Sequence, residues 1–267
     1  MSTNKNHFEK PELSVKELSR ALYQSNMELQ NANLKLVEQE RQRLEFYANI
    51  SHDLRAPITA LSNSVEYMLS YPEISSSEIM DNLKVMQKRI DYMKNLIQDI
   101  FLLSSLDSSD TKVHKEQVDM RFFLEDFFYL CCDDSRFQDA DLRLNLPEDM
   151  NITMRIDPVL MHRVLANLFD NALKYSHPPA YIELGAVLDE HFLSIYVQDH
   201  GIGIADENLQ KIFDRSYMVQ QSRTPGADAS SGFGLSIVKS VIEHHNGTIT
   251  CESKLNKGSR FIIKLPL

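Results

Sequence analysis

Residues 46–58 read Phe46-Tyr47-Ala48-Asn49-Ile50-Ser51-His52-Asp53-Leu54-Arg55-Ala56-Pro57-Ile58. A histidine beside a carboxylate is common; its helical phase is what matters here. Around it, Tyr47, Ile50, Leu54, Ile58, Leu61, Val65 and Met68 recur at steps of three and four, the pattern of one buried helical stripe. An α-helix turns about 100° per residue, which puts His52 roughly 200° from Ile50, on the far side from the stripe. The imidazole is therefore predicted to face water on a rigid helix. Such a position suits a group that must meet a second reactant better than one that packs. Pro57 removes a backbone donor inside the same helix and is expected to bend it just past the histidine.

Working outward, residues 14–46 contain no Gly or Pro, and Leu18, Leu22, Leu29 and Leu36 hold a heptad phase with Ser25 and Ala32 between them. Val37 and Leu44 sit one position later. The stretch reads as a helix forming a coiled coil with a phase shift, or as a single amphipathic helix on a globular body. Downstream a turn is expected at Ser70-Tyr71-Pro72-Glu73, and Ser75 with Glu78 has the spacing of a capping box. Ile79, Leu83, Met86, Ile90, Met93, Ile97 and Ile100 then alternate steps of four and three, a seam that needs a facing helix. One hairpin buries only part of each stripe, so two chains pairing as a four-helix bundle are expected.

After the polar run Leu106 to Thr111, read as a linker, the texture changes. A helix and two strands lead to Asp157-Pro158, an N-cap with proline at N1, opening a helix through Tyr175. Strands are expected at Tyr181–Leu188, Phe192–Asp199, Thr248–Ser253 and Ser259–Leu265, with helices near Glu207–Phe213 and Phe233–His245. The fold class is thus α+β: an N-terminal coiled-coil helix and helical hairpin, then an α/β sandwich with a mixed, largely antiparallel sheet. Three regions follow: 1–40, 41–110 and 111–267.

The 267 residues carry a net charge of -10, which argues against nucleic acid and against contact with an anionic membrane. Cys131 and Cys132 are adjacent and Cys251 is remote, so reduced, half-buried thiols are expected rather than a bridge or a metal cluster. The first residues lack an apolar segment of the signal-peptide kind. The most apolar run, Phe122 to Cys132, contains Glu125 and Asp126 and is too short to span a bilayer. Phe122 to Phe128 reads as core and as a contact between domains.

Three spaced elements in the second half look like a nucleotide site. Asn167, Asn171 and Lys174 lie at i, i+4 and i+7, on one helical face away from Leu165, Leu168 and Ala172. An amide oxygen is a suitable hard ligand for Mg²⁺, and a lysine can meet phosphates. A lone Asn-x3-Asn is more often a solvated polar face. Asp199-His200-Gly201-Ile202-Gly203 ends a strand with two glycines that permit close backbone approach. Gly232-Phe233-Gly234-Leu235 opens a helix, whose free N–H groups suit phosphate oxygens. Each alone is weak; in one order within one domain they reinforce one another.

Together with the His52 segment, these motifs resemble the cytoplasmic core of the sensor histidine kinases of two-component systems, over about residues 41–267. The His52 run resembles the family's H box and the asparagine helix its N box. Asp199 to Gly203 resembles the G1 box, Ile212-Phe213-Asp214-Arg215 the F box, and Gly232 to Leu235 the G2 box. The resemblance implies a signalling helix (1–40), a dimerisation and histidine-phosphotransfer domain (41–110) and a Bergerat-type ATP-binding domain (111–267). It implies a protein-histidine kinase in which His52 takes the γ-phosphoryl group of ATP, assisted by Asp53, and passes it to an aspartate of a separate response regulator. It implies that Asn171 holds Mg²⁺, that Asn167 and Lys174 contact phosphates, that Asp199 reads the adenine amine with Tyr175 near the base, and that residues 216–231 form a lid. Gly201, Gly203, Phe213, Gly232, Gly234 and Leu235 complete the cofactor-binding set. A homodimer in the cytoplasm is expected, standing alone or as the soluble part of a membrane-anchored sensor.

Departures from the family pattern carry their own expectations. Ala56, four residues after the histidine, stands where the family often has Thr or Asn, which implies weak phosphatase activity. Ser216 and Ser230 replace an aromatic and a glycine next to the lid. A nucleotide-binding scaffold and another ATPase on the same fold are the competing readings; the His52 bundle argues against the second. His244 and His245, before Asn246-Gly247, are expected at the surface.

Overall fold

A computed structural model describes residues 15–71, 75–107, 113–214 and 232–267. The expected turn at 70–73, the linker at 106–111 and the F box fall partly outside these residues, and the lid at 216–231 falls wholly outside them. The chain divides into two compact units, Met1–His52 and Asp53–Leu267.

The first unit is helical. Helix α1 spans Val15–Ser70, so it begins here and crosses the division. Leu18, Leu22, Leu29 and Leu36 are all exposed on it, and Phe46 is the one core side chain of this unit among the described residues. Arg41 reaches both Glu38 and Glu45, solvent-exposed pairs at i−3 and i+4 that lie along one helix face. His52 is exposed, as its helical phase predicts.

In the second unit α1 continues without a break through Pro57 to Ser70. Helix α2, Ser76–Leu106, opens on the expected capping box: the Ser75 hydroxyl accepts from the Glu78 amide, and the Glu78 carboxylate accepts from the Ser75 amide. Ile58, Val65, Ile79, Leu83, Ile90 and Ile97 of the two predicted stripes remain exposed. Only the far end of α2 is closed, with Leu96, Leu103 and Leu106 in the core.

The rest of this unit is an α/β sandwich. Strand β1, Glu116–Asp119, pairs antiparallel with β3, Thr153–Ile156. The sequence reading did not foresee β1, because its four residues are mostly polar and exposed and show no apolar alternation. Helix α3, Met120–Asp133, lies between them in the chain, and strand β2, Asp141–Asn145, follows it. Helix α4, Pro158–Tyr175, is capped by Asp157, whose side chain accepts from the Leu160 amide. Strands β4 (Tyr181–Leu188), β5 (Phe192–Asp199), β6 (Thr248–Lys254) and β7 (Gly258–Pro266) join β2 in a sheet of order β2-β4-β5-β7-β6. The β2–β4 pair is parallel and the others are antiparallel, which makes the sheet mixed and largely antiparallel as expected.

The two faces of the sheet follow from period 2. Ile182, Leu184, Ile195, Val197, Ile263 and Leu265 point one way and are buried. Helix α4 and helix α5, Gly234–His244, bury Val164, Leu165, Leu168, Ile237, Val238 and Val241 in the same core. Fully burying one such side chain contributes about 1.5–3 kcal/mol. α3 gives Leu124, Phe127 and Phe128 to the core but leaves Phe122 exposed, so that aromatic run is only partly core.

Two expectations are corrected. The helix near 207–213 is a single 3-10 turn, Asp206–Asn208, followed by turns. Its bonds close from Asn208 to Ala205, from Leu209 to Asp206 and from Lys211 to Asn208, and only Ile212 of this stretch is buried. His245 is not a surface residue: it is buried, its Nε2 accepting from the Asp157 amide at 2.9 Å and its Nδ1–H donating to the Val241 carbonyl at 2.8 Å.

Candidate functional site

The nucleotide-like motifs converge at one end of the sandwich. Asp199 is the last residue of β5 and belongs to the inward-facing set, so its carboxylate is carried into the space between sheet and helices. Its Oδ1 accepts from the Gly201 amide at 2.7 Å and from the Ser259 amide at 3.2 Å. Burial pushes this carboxyl above the usual range, and the two amides pull it partly back. Neither bond uses Oδ2. A carboxylate held in a dry wall by one oxygen, with the other left over, is arranged to accept from an amine.

The chain after Asp199 crosses the end of α4. The Ile202 amide donates to the Tyr175 carbonyl at 3.0 Å, and a β-carbon at Gly201 would stand 2.2 Å from that same oxygen. Only glycine allows this approach. Tyr175 is thereby fixed beside the Asp199 loop, and the Lys174 ammonium sits 5.2 Å from the centre of its ring. Gly203 has a left-handed φ of 67° in the same loop.

Asn167 and Asn171 stand one turn apart on α4, both half-buried, while Leu165, Leu168 and Ala172 face the core as predicted. The Asn167 Nδ2 is buried with no hydrogen-bond partner among the described residues. An orphaned buried amide costs about 1–3 kcal/mol, and it is satisfied by a ligand rich in acceptors. The first residue of α5 comes close to it: a β-carbon on Gly234 would stand 3.3 Å from the Asn167 Oδ1. The first N–H groups of α5, which have no partner within the helix, thus sit next to the Asn167 amide, a combination suited to phosphate oxygens. Gly232 precedes it at φ 70°, Phe233 is fully buried, and Leu235 is half-buried at the helix start. Phe213 packs edge-on to Phe261 at 6.3 Å between centroids.

A metal would find no carboxylate cage here. Among the described residues no group of three His, Cys, Asp or Glu side chains could hold an ion. The half-buried amide of Asn171 is one hard oxygen ligand, which fits a Mg²⁺ ion completed by phosphates and solvent rather than by protein.

On the helical side, His52 is exposed and Asp53 is half-buried. Asp53 helps to raise the Tyr92 hydroxyl of α2 to about 12, behind burial as the main cause and ahead of Asp99.

Residues missed by sequence reasoning surround Asp199. Ser253, Ser259 and Gly258 come from the β6–β7 hairpin and reach it only through strand pairing, which no local motif announces. No described helix is long and apolar enough to cross a membrane.

Comparison with known proteins bears on the family and the fold. A family model described as His Kinase A (phospho-acceptor) domain matches residues 42–109. One described as Histidine kinase-, DNA gyrase B-, and HSP90-like ATPase matches residues 156–267. Sensor protein SrrB of Staphylococcus aureus (strain N315) is 34% identical over 229 residues, 85% of this chain and 38% of that protein. The chain thus spans well under half the length of the curated relatives it matches. The solved Acinetobacter baumannii histidine kinase AdeS aligns with a TM-score of 0.63 at 23% identity, covering 80% of this chain and 97% of that one. Histidine kinase ThkA, solved in complex with response regulator protein TrrA, aligns with a TM-score of 0.69 at 19% identity, covering 85% of this chain and 63% of that one. At such identities the structures speak for the fold, a helical region followed by an α/β ATPase domain. The chain belongs to the sensor histidine kinases of two-component systems and carries their phospho-acceptor and ATPase domains.

Proposed function

We propose that this chain is an ATP-dependent protein-histidine kinase that phosphorylates its own His52 and passes the phosphoryl group to an aspartate of a separate response regulator. The observation that carries the reading is the Asn167 amide, buried without a partner among the described residues beside the first turn of α5, in a domain whose other wall presents Asp199.

In this reading Asp199 accepts from the adenine amine, and Tyr175 lies by the base. Asn167, Lys174 and the α5 N-terminus take the phosphates. Gly201, Gly203, Gly232, Gly234 and Leu235 shape the backbone that approaches the nucleotide, and Phe213 braces the end of the sheet. Asn171 would hold Mg²⁺, which when bound neutralises charge on the phosphates. Phosphoryl transfer depends mostly on positioning and charge neutralisation. A neutral ring nitrogen of His52 attacks the γ-phosphorus in line. The N–P bond forms as the bond to the β–γ bridging oxygen breaks, ADP leaves, and the ring proton is lost with Asp53 as its acceptor or orienting partner.

Two further features belong to the proposal. The exposed apolar seams of α1 and α2 support a homodimer built as a four-helix bundle, with 1–40, 41–110 and 111–267 as signalling, phosphotransfer and catalytic regions. Ala56 offers no hydrogen-bonding group, which supports weak phosphatase activity. ThkA, solved with response regulator protein TrrA, supports a regulator as partner. The test is incubation with γ-labelled ATP and Mg²⁺. Acid-labile protein label is expected in the wild type and absent from Asn171→Ala; label that is acid-stable, or no label at all, overturns the kinase reading.

A further inference from the structure

Helices α4 and α5 meet at both of their ends. At one end a β-carbon on Gly234, the first residue of α5, would stand 3.3 Å from the Asn167 Oδ1. At the other, the ring of His245, the residue that follows α5, accepts from the amide of Asp157, the cap of α4, at 2.9 Å. The two helices therefore run antiparallel. Asn167 lies ten residues after Asp157, and His245 lies eleven after Gly234. At 1.5 Å per residue these are spans of about 15 and 16 Å, so the two meeting points are in register. Between them Val164, Leu165, Ile237, Val238 and Val241 are buried. Apolar burial is non-directional and sets no axial register by itself, whereas a hydrogen bond has a preferred distance and angle.

Both partners in the far tie are themselves held. The Asp157 Oδ1 accepts from the Leu160 amide at 3.1 Å, and its Oδ2 from the His114 amide at 3.0 Å. The residue is thus fixed, and its own amide points one way. That amide only donates, so the His245 Nε2 carries no proton. The ring proton is on Nδ1 and goes to the Val241 carbonyl at 2.8 Å. Both residues are buried.

We propose that His245 is a positioning residue for phosphate binding: its bond to the Asp157 amide sets the register of α5 against α4 and so holds the first turn of α5 at the Asn167 amide. The inference rests on the reading of Asn167 and the start of α5 as phosphate contacts. Asp199, the base contact in that reading, is held by Gly201 and Ser259 and not by this bond. The bond exists only while Nε2 is unprotonated. The charged and titratable groups that face the ring are Lys115 ahead of β1, Asp157 at the cap of α4 and His244 on α5.

The test is the dissociation constants of Mg-ATP and of adenosine, measured on the full chain. His245→Ala loses roughly tenfold for Mg-ATP, as a binding group displaced from a distance does, and leaves adenosine unchanged. His245→Gln, whose amide oxygen accepts the same proton, restores the wild-type value. Acidification from about pH 7 to 5.5 weakens Mg-ATP binding more in wild type than in His245→Gln, because only the imidazole loses its acceptor. That comparison uses two proteins that keep the bond at neutral pH, and it supplies the readout if His245→Ala does not fold. Three results overturn the proposal and leave the phosphate contacts standing: an unchanged Mg-ATP affinity in His245→Ala, equal weakening of Mg-ATP and adenosine, or the same pH profile in wild type and His245→Gln. A wild type that binds Mg-ATP no more tightly than adenosine overturns both the proposal and the phosphate contacts.

Discussion

Arg163 of α4 donates to Asp99 of α2, an ion pair between the ATPase sandwich and the helical hairpin. Both partners are half-buried, so the pair is only partly screened. Around it, Leu96, Leu103 and Leu106 close the end of α2. Asp99→Arg and Arg163→Asp should each lower thermal stability, and the double exchange should recover most of the loss. A double-mutant cycle on unfolding is expected to give a coupling of about 0.5–3 kcal/mol. Additive effects would mean that the pair holds nothing.

Asp199→Asn separates binding from stability. The amide keeps an oxygen able to accept from Gly201 and Ser259 while removing a buried charge. The folded-state pKa of Asp199 is raised, so its favourable contribution is complete below the ordinary carboxylate range and is lost as pH rises through the folded value. The variant should therefore melt no lower than wild type at pH 7, with the difference shrinking on acidification toward that range. ATP affinity should fall at least tenfold in roughly the same assay that reads wild-type binding. Melting curves across pH and a nucleotide titration check both halves.

The environment of His245 predicts acid sensitivity. Burial lowers its pKa, the Val241 carbonyl opposes this, Lys115 and His244 repel the cation, and Asp157 attracts it. A depressed folded value means that its stabilising effect is complete above the ordinary histidine pKa of about 6.5 and is lost as pH falls through the folded value. Protonation also removes the acceptor for the Asp157 amide at the cap of α4. His245→Gln should flatten the decline in melting temperature between about pH 7 and 5. His245→Ala should cost about 1–3 kcal/mol at neutral pH, the penalty for an unsatisfied buried amide.

Asn167 predicts the reverse of an ordinary core mutation. Its amide nitrogen has no partner among the described residues without nucleotide. Asn167→Ala removes an unsatisfied buried amide and should leave the free protein at least as stable as wild type, as for a site whose lost bonds are to ligand. It should also weaken ATP binding by roughly tenfold or more. A large loss of stability with intact binding would make Asn167 a structural residue.

The sequence carried the helices and the site motifs unevenly. The α1 and α2 stripes, the Ser75 capping box and the Asp157 N-cap are local signals, and each element begins where its residues place it. Asn167, Asp199 and Gly234 were legible because each motif has its own short spacing. The Ser253–Ser259–Asp199 row was not, since strands distant in sequence create it and serines at a hairpin carry no periodic signal. His245 was misplaced for a related reason. Asn246-Gly247 reads as a surface turn, yet the cap of a helix far upstream folds over the ring before it. β1 was missed because its pairing with β3, not its composition, makes it a strand.

The account stands most directly on where the phosphoryl group goes. Wild-type protein and His52→Gln, each incubated with γ-labelled ATP and Mg²⁺, are digested at neutral to alkaline pH and the labelled peptide is mapped. The prediction is one labelled peptide that contains His52, with no label in His52→Gln despite unchanged ATP binding. Label on another residue, or label of equal amount in His52→Gln, would contradict it.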